Sequence, residues 1–258
     1  MRGTRRAGGL SGRRYALFVL ARRWSPPLAL ALLFAFAAFR FPLVEAALEP
    51  VLKRKSVFVQ REALGVLALQ HLALVALTSG PSFLLAFPLA LLAARGRARN
   101  LRGLLVGAAS FAETLPTVAL MALLVPSLGY GFAPVAIALF LYGLLPVFRN
   151  SLSGLESTPP ELVDAGLGAG MTEGELLFKV RLPHAAPLVV QGLRVSLVVN
   201  IAAATVGAAV GAGGLGVPIV SGLRAFDPLL ILSGSLPVAF LALFADSALR
   251  AVEETIGA

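Results

Sequence analysis

The sequence predicts an all-α integral membrane protein with about six transmembrane helices. Of its 258 residues, 58% are hydrophobic and only 14% are charged, and the mean hydropathy is +0.87. A soluble domain is considerably less apolar than this. The lysines and arginines fall mostly between long apolar runs, as expected of loops that join membrane spans.

Six apolar segments are long enough to cross a bilayer. A hydrocarbon core of about 30 Å requires about 20 apolar residues in helical form, and a helix satisfies its own backbone hydrogen bonds there. The predicted spans are Trp24–Val44, Leu64–Ala94, Leu101–Leu124, Pro134–Phe148, Pro187–Val210 and Leu229–Val252. In the second span we expect Gln70 and His71 at the outer interface. We expect kinks at Gly80, Pro81 and Pro88.

The basic residues predict that both termini lie in the cytoplasm. With the N-terminus inside, the inner segments contain fifteen Lys and Arg residues and the outer segments six. Basic residues near helix ends resist translocation, so this orientation is favoured. Residues 1–23 then form a basic cytoplasmic tail and residues 24–258 the membrane domain. Residues 149–186 form one long cytoplasmic loop within it.

Composition and spacing argue against several other functions. A net charge of +9 does not indicate a nucleic-acid binder, because the cations are not gathered on one solvated face. The chain has no cysteine and so no thiolate metal site. His71 and His184 fall on opposite sides of the predicted membrane and cannot share a metal, and no Ser-His-acid set converges. We therefore predict neither a catalytic nor a metal site.

The segment GAGGLG, residues Gly211–Gly216, has the residues of the dinucleotide-binding pattern G-x-G-x-x-G but not its structural context. That pattern requires a preceding strand within a βαβ unit, whereas this segment follows a predicted membrane helix. No glycine-rich stretch is followed by Lys-Ser or Lys-Thr as in a P-loop. We therefore expect no nucleotide cofactor in this chain, and predict that the glycines let the chain turn at the outer side of the membrane.

The long inner loop is predicted to fold into two short helices. Thr158 is expected to cap the first helix, which runs from Glu161 to Leu167 after two prolines. Glycines 168 and 170 permit a sharp turn, and a left-handed φ is expected at Gly170. Thr172 and Glu175 then form a capping box for a second helix that ends near Leu182 and Pro183. Such a pair forms a rigid knob that fits a groove on a cytoplasmic partner.

This loop resembles the EAA motif of bacterial ABC importer permeases, written E-A-A, three residues, G, nine residues, I, one residue, L-P. Every spacing is kept, although Asp replaces Glu at 164 and Gly replaces Ala at 166. Asp keeps the charge, and Gly loosens the helix by about 1 kcal/mol relative to Ala. The resemblance implies that the loop binds a cleft in an ABC ATPase, through Glu161, Asp164, Ala165, Gly166, Gly170, Met171, Val180, Leu182 and Pro183.

Other stretches resemble the permeases of glycine betaine, carnitine and choline uptake systems: FAETLPTVALMALL, IALFLYGLLPVFRNSLSGL, GAGMT and VNIAAATVGAAVGAGGLG. The resemblance implies a MetI-like permease fold and a pathway for an osmoprotectant quaternary amine. It also implies ABC ATPase subunits that bind ATP and Mg, a second permease copy or paralogue, and an extracytoplasmic substrate-binding protein. This chain itself would catalyse nothing.

Three alternatives remain open from the sequence. Related permeases for methionine, phosphonate or other small solutes share much of this pattern. A secondary transporter should show inverted repeats and several intramembrane ions, but the sequence shows one deep acid and no repeat. If the chain is instead a non-transporting membrane scaffold, its match to the spacing of the EAA motif is a coincidence.

The candidate pathway-lining residues are polar or flexible positions in or beside the spans: Glu113, Pro116, Asn200, Thr205, Gly211, Gly213 and Gly214. A charge at Glu113 costs about 2.5–3.5 kcal/mol in hydrocarbon, so its side chain should face the bundle interior. It either lies near a cationic substrate or packs helices as a hydrogen-bonded carboxyl. Asn200 and Thr205 are either ligands or interhelical hydrogen-bonding groups. Asp246 is expected to pair with Arg250, four residues on.

Overall fold

The computed structural model describes residues 8–52, 63–94, 102–107 and 114–256, which are almost entirely helical and include no strand. The helices are α1 (Gly8–Phe39), α2 (Phe41–Leu52), α3 (Leu64–Ala93), α4 (102–107), α5 (Thr117–Leu128), α6 (Phe132–Glu156), α7 (Pro160–Gly168), α8 (Glu173–Leu176), α9 (Leu182–Gly207), α10 (Gly216–Ala225) and α11 (Pro228–Ile256). A π-helical turn joins α8 to α9, and a 3₁₀ turn follows α9.

Four stretches in the described ranges are long and apolar enough to cross a membrane: Leu64–Ala93, Phe132–Glu156, Glu173–Val210 and Pro228–Ile256. The bent pair Arg23–Phe39 and Phe41–Leu48 makes a fifth if it is one span. The predicted all-α membrane class is confirmed, and the predicted number of six is approximate. The second, fourth, fifth and sixth predicted spans each lie on one of the four stretches.

The first predicted span, Trp24–Val44, does not run straight. Its helix axis turns by 81° at Arg40, so that α2 lies nearly at right angles to α1. Pro42 explains the break, because proline lacks the amide hydrogen that a continuing helix needs and its ring clashes with the carbonyl four residues earlier. If α1 is close to the membrane normal, α2 lies along the membrane surface.

The third predicted span, Leu101–Leu124, is not one helix either. Leu115 and Pro116 are outside helical structure, and α5 begins at Thr117. Pro116 has a ψ of 131°, an extended conformation, and Leu115 is disfavoured in a helix because it precedes a proline. The helix that follows has only 12 residues.

Helix α6 lies at the centre of the bundle, between α3 and α9. Its buried residues Val135, Ala138 and Leu139 join one apolar core cluster with residues of α3, α5, α9 and α11. Residues nearer its end, including Phe148, pack against Ala86 and Ala90 of α3 in a second cluster. Helix α11 is attached to this centre through α9.

A polar cluster lies where α3, α6 and α9 meet, around Gly143. A Cβ at Gly143 would lie 2.7 Å from Asn200 Nδ2, 2.9 Å from Ser196 Oγ and 3.0 Å from Ser82 Oγ. Only a glycine therefore permits these helices to approach so closely. All three polar side chains are fully buried.

We predict opposite-side labelling of two introduced cysteines. Ser153, near the end of α6, and Ser127, near the end of α5, are both exposed, and the chain has no native cysteine. In whole cells, a cysteine at Ser127 should react with an impermeant maleimide, whereas one at Ser153 should react only after the cells are opened. Reaction of both from the same side would contradict the predicted topology.

Candidate functional site

The loop between α6 and α9 forms the compact knob that the sequence predicts. Helix α7 ends in a Schellman motif, in which the amide of Met171 donates to the carbonyl of Gly166 and the amide of Gly170 to that of Leu167. Gly170 has a φ of +80°, the expected left-handed conformation. Thr172 and Glu175 form the predicted capping box at the start of α8. We use the term coupling knob for residues 160–181.

Gly166 explains how the two halves of the coupling knob fit together. A Cβ at this position would lie 2.6 Å from Leu176 Cδ1, 3.4 Å from Met171 Sδ and 3.8 Å from Val180 Cγ2. Leu176 is buried, so its side chain occupies the space that the alanine methyl of the motif would take. The substitution of Gly for Ala in the motif is thus matched by packing within the same loop.

The outer surface of the coupling knob has a mixed character. Glu161, Asp164 and Ala165 are exposed on α7, and Leu162 and Leu167 are each about half exposed at 48% and 49%. The two exposed leucines mark a candidate contact surface, and the carboxylates border it.

Two details of the predicted loop are wrong. Thr158 does not cap α7: the N-cap is Pro159, and the Thr158 hydroxyl donates to the carbonyl of Leu155, so it closes α6 instead. The second helix does not end near Leu182 and Pro183, because the chain continues through a π-helical turn, Leu177–Arg181, into α9. The amide of Leu182 donates five residues back to Leu177. This wider turn precedes Pro183, which has no amide hydrogen to donate.

The π-helical turn is the last part of the coupling knob and connects it to the bundle. Leu177, at the start of the turn, is buried in a cluster with Leu155 of α6 and with Ala185 and Val189 of α9. Phe83, Phe87, Leu91 and Ala94 of α3 pack against the same cluster. A displacement of the knob would therefore act directly on the ends of three spans.

The glycine-rich segment lies at the opposite end of α9 and is held by α3. Gly211, Gly213 and Gly214 have φ values of +89°, +78° and +77°, so the predicted turn is present. The amide of Gly214 donates to Gln70 Oε1 at 3.1 Å. A Cβ at Gly213 would lie 2.7 Å from the same oxygen.

His71 is fully buried beside these glycines. Its Nε2 lies 3.1 Å from the carbonyl of Ile201, and since a carbonyl only accepts, Nε2 donates. The loop between α5 and α6 also reaches this end, where the amide of Gly131 donates to the carbonyl of Val210. Four helices thus converge on the glycine-rich segment.

The remaining pathway candidates occupy different positions. Asn200 is fully buried and donates to Ser79 Oγ at 2.9 Å, so its amide packs helices, the alternative given above. Thr205 donates to the carbonyl of Ala202 within α9. Pro116 is exposed at the start of α5. Glu113 lies outside the described residues. Among the described candidates, the structure brings the three glycines together, and the backbone carbonyl of Thr205 lies against Gly216 at the end of the same segment.

A network of charges connects the spans at the coupling-knob end. Asp246 pairs with Arg250 at 3.6 Å, as predicted. Arg194 of α9 also pairs with Asp246, at 3.6 Å, and with Glu253, at 3.3 Å. Sequence reasoning missed Arg194, although a single arginine seven residues inside a predicted span is itself a signal that a carboxylate lies nearby.

Comparison with known proteins finds a matching family and several relatives of this chain. Residues 86–257 match the family model described as "Binding-protein-dependent transport system inner membrane component". The chain is 40% identical over 157 residues to a carnitine transport permease protein of Listeria monocytogenes, covering 61% of this chain and 72% of the relative. It is 38% identical over 188 residues to an osmoprotectant import permease protein of Salmonella typhimurium, covering 71% and 86%.

A solved structure shares the fold. The inward-facing methionine ABC transporter MetNI includes a chain that superposes with a TM-score of 0.66 at 20% identity, covering 73% of this chain and 93% of that one. At this identity the likeness concerns the fold alone.

We predict that Gly170→Val disrupts the coupling knob whereas Gly170→Asn does not. A side chain in the left-handed region costs roughly 1–2 kcal/mol, and the cost is greatest for a β-branched residue, whereas asparagine adopts that region readily. Nothing lies within 4 Å of the added Cβ, so the effect is conformational. Co-purification of ATPase subunits with the tagged chain measures docking. Equal recovery with both variants would contradict the prediction.

Proposed function

Because this chain belongs to the family of binding-protein-dependent transport system inner membrane components, we propose that it forms the translocation pathway of an ABC importer for a small osmoprotectant such as glycine betaine, choline or carnitine. The observation that supports this most strongly is the family match over residues 86–257 together with relatives named for carnitine and osmoprotectant transport. The chain is a multi-pass inner-membrane component with no catalytic role.

The coupling knob is proposed to bind the ATPase. Its exposed leucines and carboxylates offer one apolar and one acidic feature for recognition. Its internal hydrogen bonds and the packing of Leu176 against Gly166 keep it rigid. ATP and Mg are then bound by the ATPase, and this chain receives only the mechanical displacement. Nucleotide-driven closure of two ATPase subunits would move two such knobs, one on each permease of a pair.

The displacement is proposed to reach the far end of the bundle through α9. The π-helical turn attaches the coupling knob to this helix, and the glycine-rich segment follows its other end. Glycines with φ near +80° allow the backbone there to change direction without steric cost. Irregular backbone at membrane depth is tolerated where it is buried in protein or lines a water-filled cavity. A pathway mouth near Gly211–Gly214 meets this condition.

The described parts of the spans contain few fixed charges, and this supports a weakly binding pathway. The one arginine within α9, Arg194, is paired with carboxylates of α11. A quaternary amine has a permanent positive charge and a methylated surface, so strong fixed charges would retain a solute that must leave again. Selection is instead proposed to rest with an extracytoplasmic binding protein, which delivers the solute to the outer face.

The proposed substrate class predicts a defined competition pattern. Vesicles that contain the complete complex should take up radiolabelled glycine betaine or choline when ATP is supplied. Unlabelled carnitine should compete, whereas histidine, methionine and a phosphonate should not. ATP-driven uptake that is blocked only by methionine or the phosphonate would support the importer assignment and contradict the proposed substrate.

Glu113→Gln should insert into the membrane normally and keep substantial uptake, because the amide still forms hydrogen bonds.

A further inference from the structure

Helix α11 is held by different interactions at its two ends. At the end far from the coupling knob, a Cβ at Gly234 would lie 2.5 Å from the carbonyl oxygen of Leu215, so the backbones there pack tightly. The apolar clusters do not extend to the other end: within the described ranges, none contains a residue of α11 beyond Ala245. Beyond this residue, ion pairs join α11 to α9.

Arg194 of α9 bridges two carboxylates of α11. Its Nε lies 3.6 Å from Asp246 Oδ1, and its Nη1 lies 3.3 Å from Glu253 Oε2. The two carboxylates are seven residues apart in the sequence, so they converge on one guanidinium from positions about 10 Å apart along the helix. The Arg194 side chain is only 16% exposed. A paired, largely buried arginine within a membrane span is a candidate functional residue.

Helix α1 is attached to the same end of α11. Arg23 Nη1 donates to the carbonyl of Glu254 at 3.1 Å, and Arg23 Nε lies 3.6 Å from Glu254 Oε2. A displacement that α9 passes to α11 through Arg194 therefore also reaches α1. Arg194 lies close to the coupling knob, because Val189, five residues earlier on α9, belongs to the cluster at the base of the knob.

We propose that Arg194 is a positioning residue that fastens α11 to α9, so that α11 and α1 follow the displacement of the coupling knob. The inference rests on the proposed function, since it concerns how ATP-driven motion reaches the helices outside the central α3, α6 and α9. Arginine suits this role because its separate nitrogens contact both carboxylates at once, whereas lysine offers a single nitrogen. Without Arg194, α9 moves while α11 stays behind, and ATP hydrolysis is no longer converted into uptake.

The test separates ATP hydrolysis from uptake in the complete importer, reconstituted in vesicles. Arg194→Gln removes the ionic link between the two helices. Arg250→Gln is the matched control, because Arg250 pairs with Asp246 inside α11, at 3.6 Å. Arg194→Lys keeps the charge but reaches one carboxylate at a time. Co-purification of the ATPase, ATP hydrolysis and uptake are measured for each variant, with the solute that the importer's own binding protein carries.

We expect Arg194→Gln to retain the ATPase subunits and their hydrolysis, because the coupling knob is unchanged, and to lose uptake per ATP hydrolysed several-fold. Arg194→Lys should be intermediate, and Arg250→Gln should match the parent. A merely structural arginine would give another pattern, in which assembly, hydrolysis and uptake fall together. If Arg194→Gln fails to insert, Glu253→Gln removes one of the two pairs and should show the same selective loss of uptake.

Three results would overturn the proposal. They are unchanged uptake per ATP in Arg194→Gln, a parallel fall in assembly, hydrolysis and uptake, or an equal loss in Arg250→Gln. A parent importer that takes up a solute other than a quaternary amine would contradict the proposed substrate, and the comparison of the variants would still decide the role of Arg194. A parent without ATP-driven uptake of any solute would contradict the proposed function itself.

Discussion

The close approach of α6 and α9 is the contact on which the rest of the structure depends. Lipid tails are as apolar as the side chains, so membrane helices associate through tight packing of small residues. A Cβ at Gly192 of α9 would lie 2.9 Å from the carbonyl oxygen of Pro146 and from Asn150 Cβ. One at Gly154 of α6 would lie 3.1 Å from Ala185 Cβ. Because the backbones of α6 and α9 approach this closely, the two helices cannot slide past each other.

This contact determines how the two ends of the molecule are related. Helices α6 and α9 flank the coupling knob in sequence, and Leu155 and Ala185 bury Leu177 at its base. At the other end, α9 leads into the glycine-rich segment that Gln70 holds against α3. We propose that the rigid α6–α9 pair acts as a lever that transmits motion between the two. Glycines allow the chain to turn after α9, and other glycines allow the tight packing between α6 and α9.

Sequence predicted the features that depend on neighbouring residues. The length of α3 and α11 followed from apolar runs, and the capping box and the left-handed Gly170 from local chemistry. The sequence did not predict features that depend on contacts between residues far apart along the chain. The π-helical turn substitutes for the predicted helix end because Leu177 is buried by three other helices. The pairing of Arg194 with Glu253 joins positions 59 residues apart, which spacing along the chain does not predict.

A reversible cross-link between α6 and α9 tests the lever directly. Leu155→Cys with Ala185→Cys places thiols on two buried residues of α6 and α9 that belong to one apolar cluster, in a chain without other cysteines. Loss of the free thiols on oxidation shows that the disulfide has formed, which requires Cβ atoms about 3.5–4.5 Å apart. ATP-driven uptake by the assembled importer is measured before oxidation, after it, and after reduction. The account predicts that uptake is unchanged by the cross-link, because the two helices already move as one body. Uptake that is lost on oxidation and restored by reduction would contradict it.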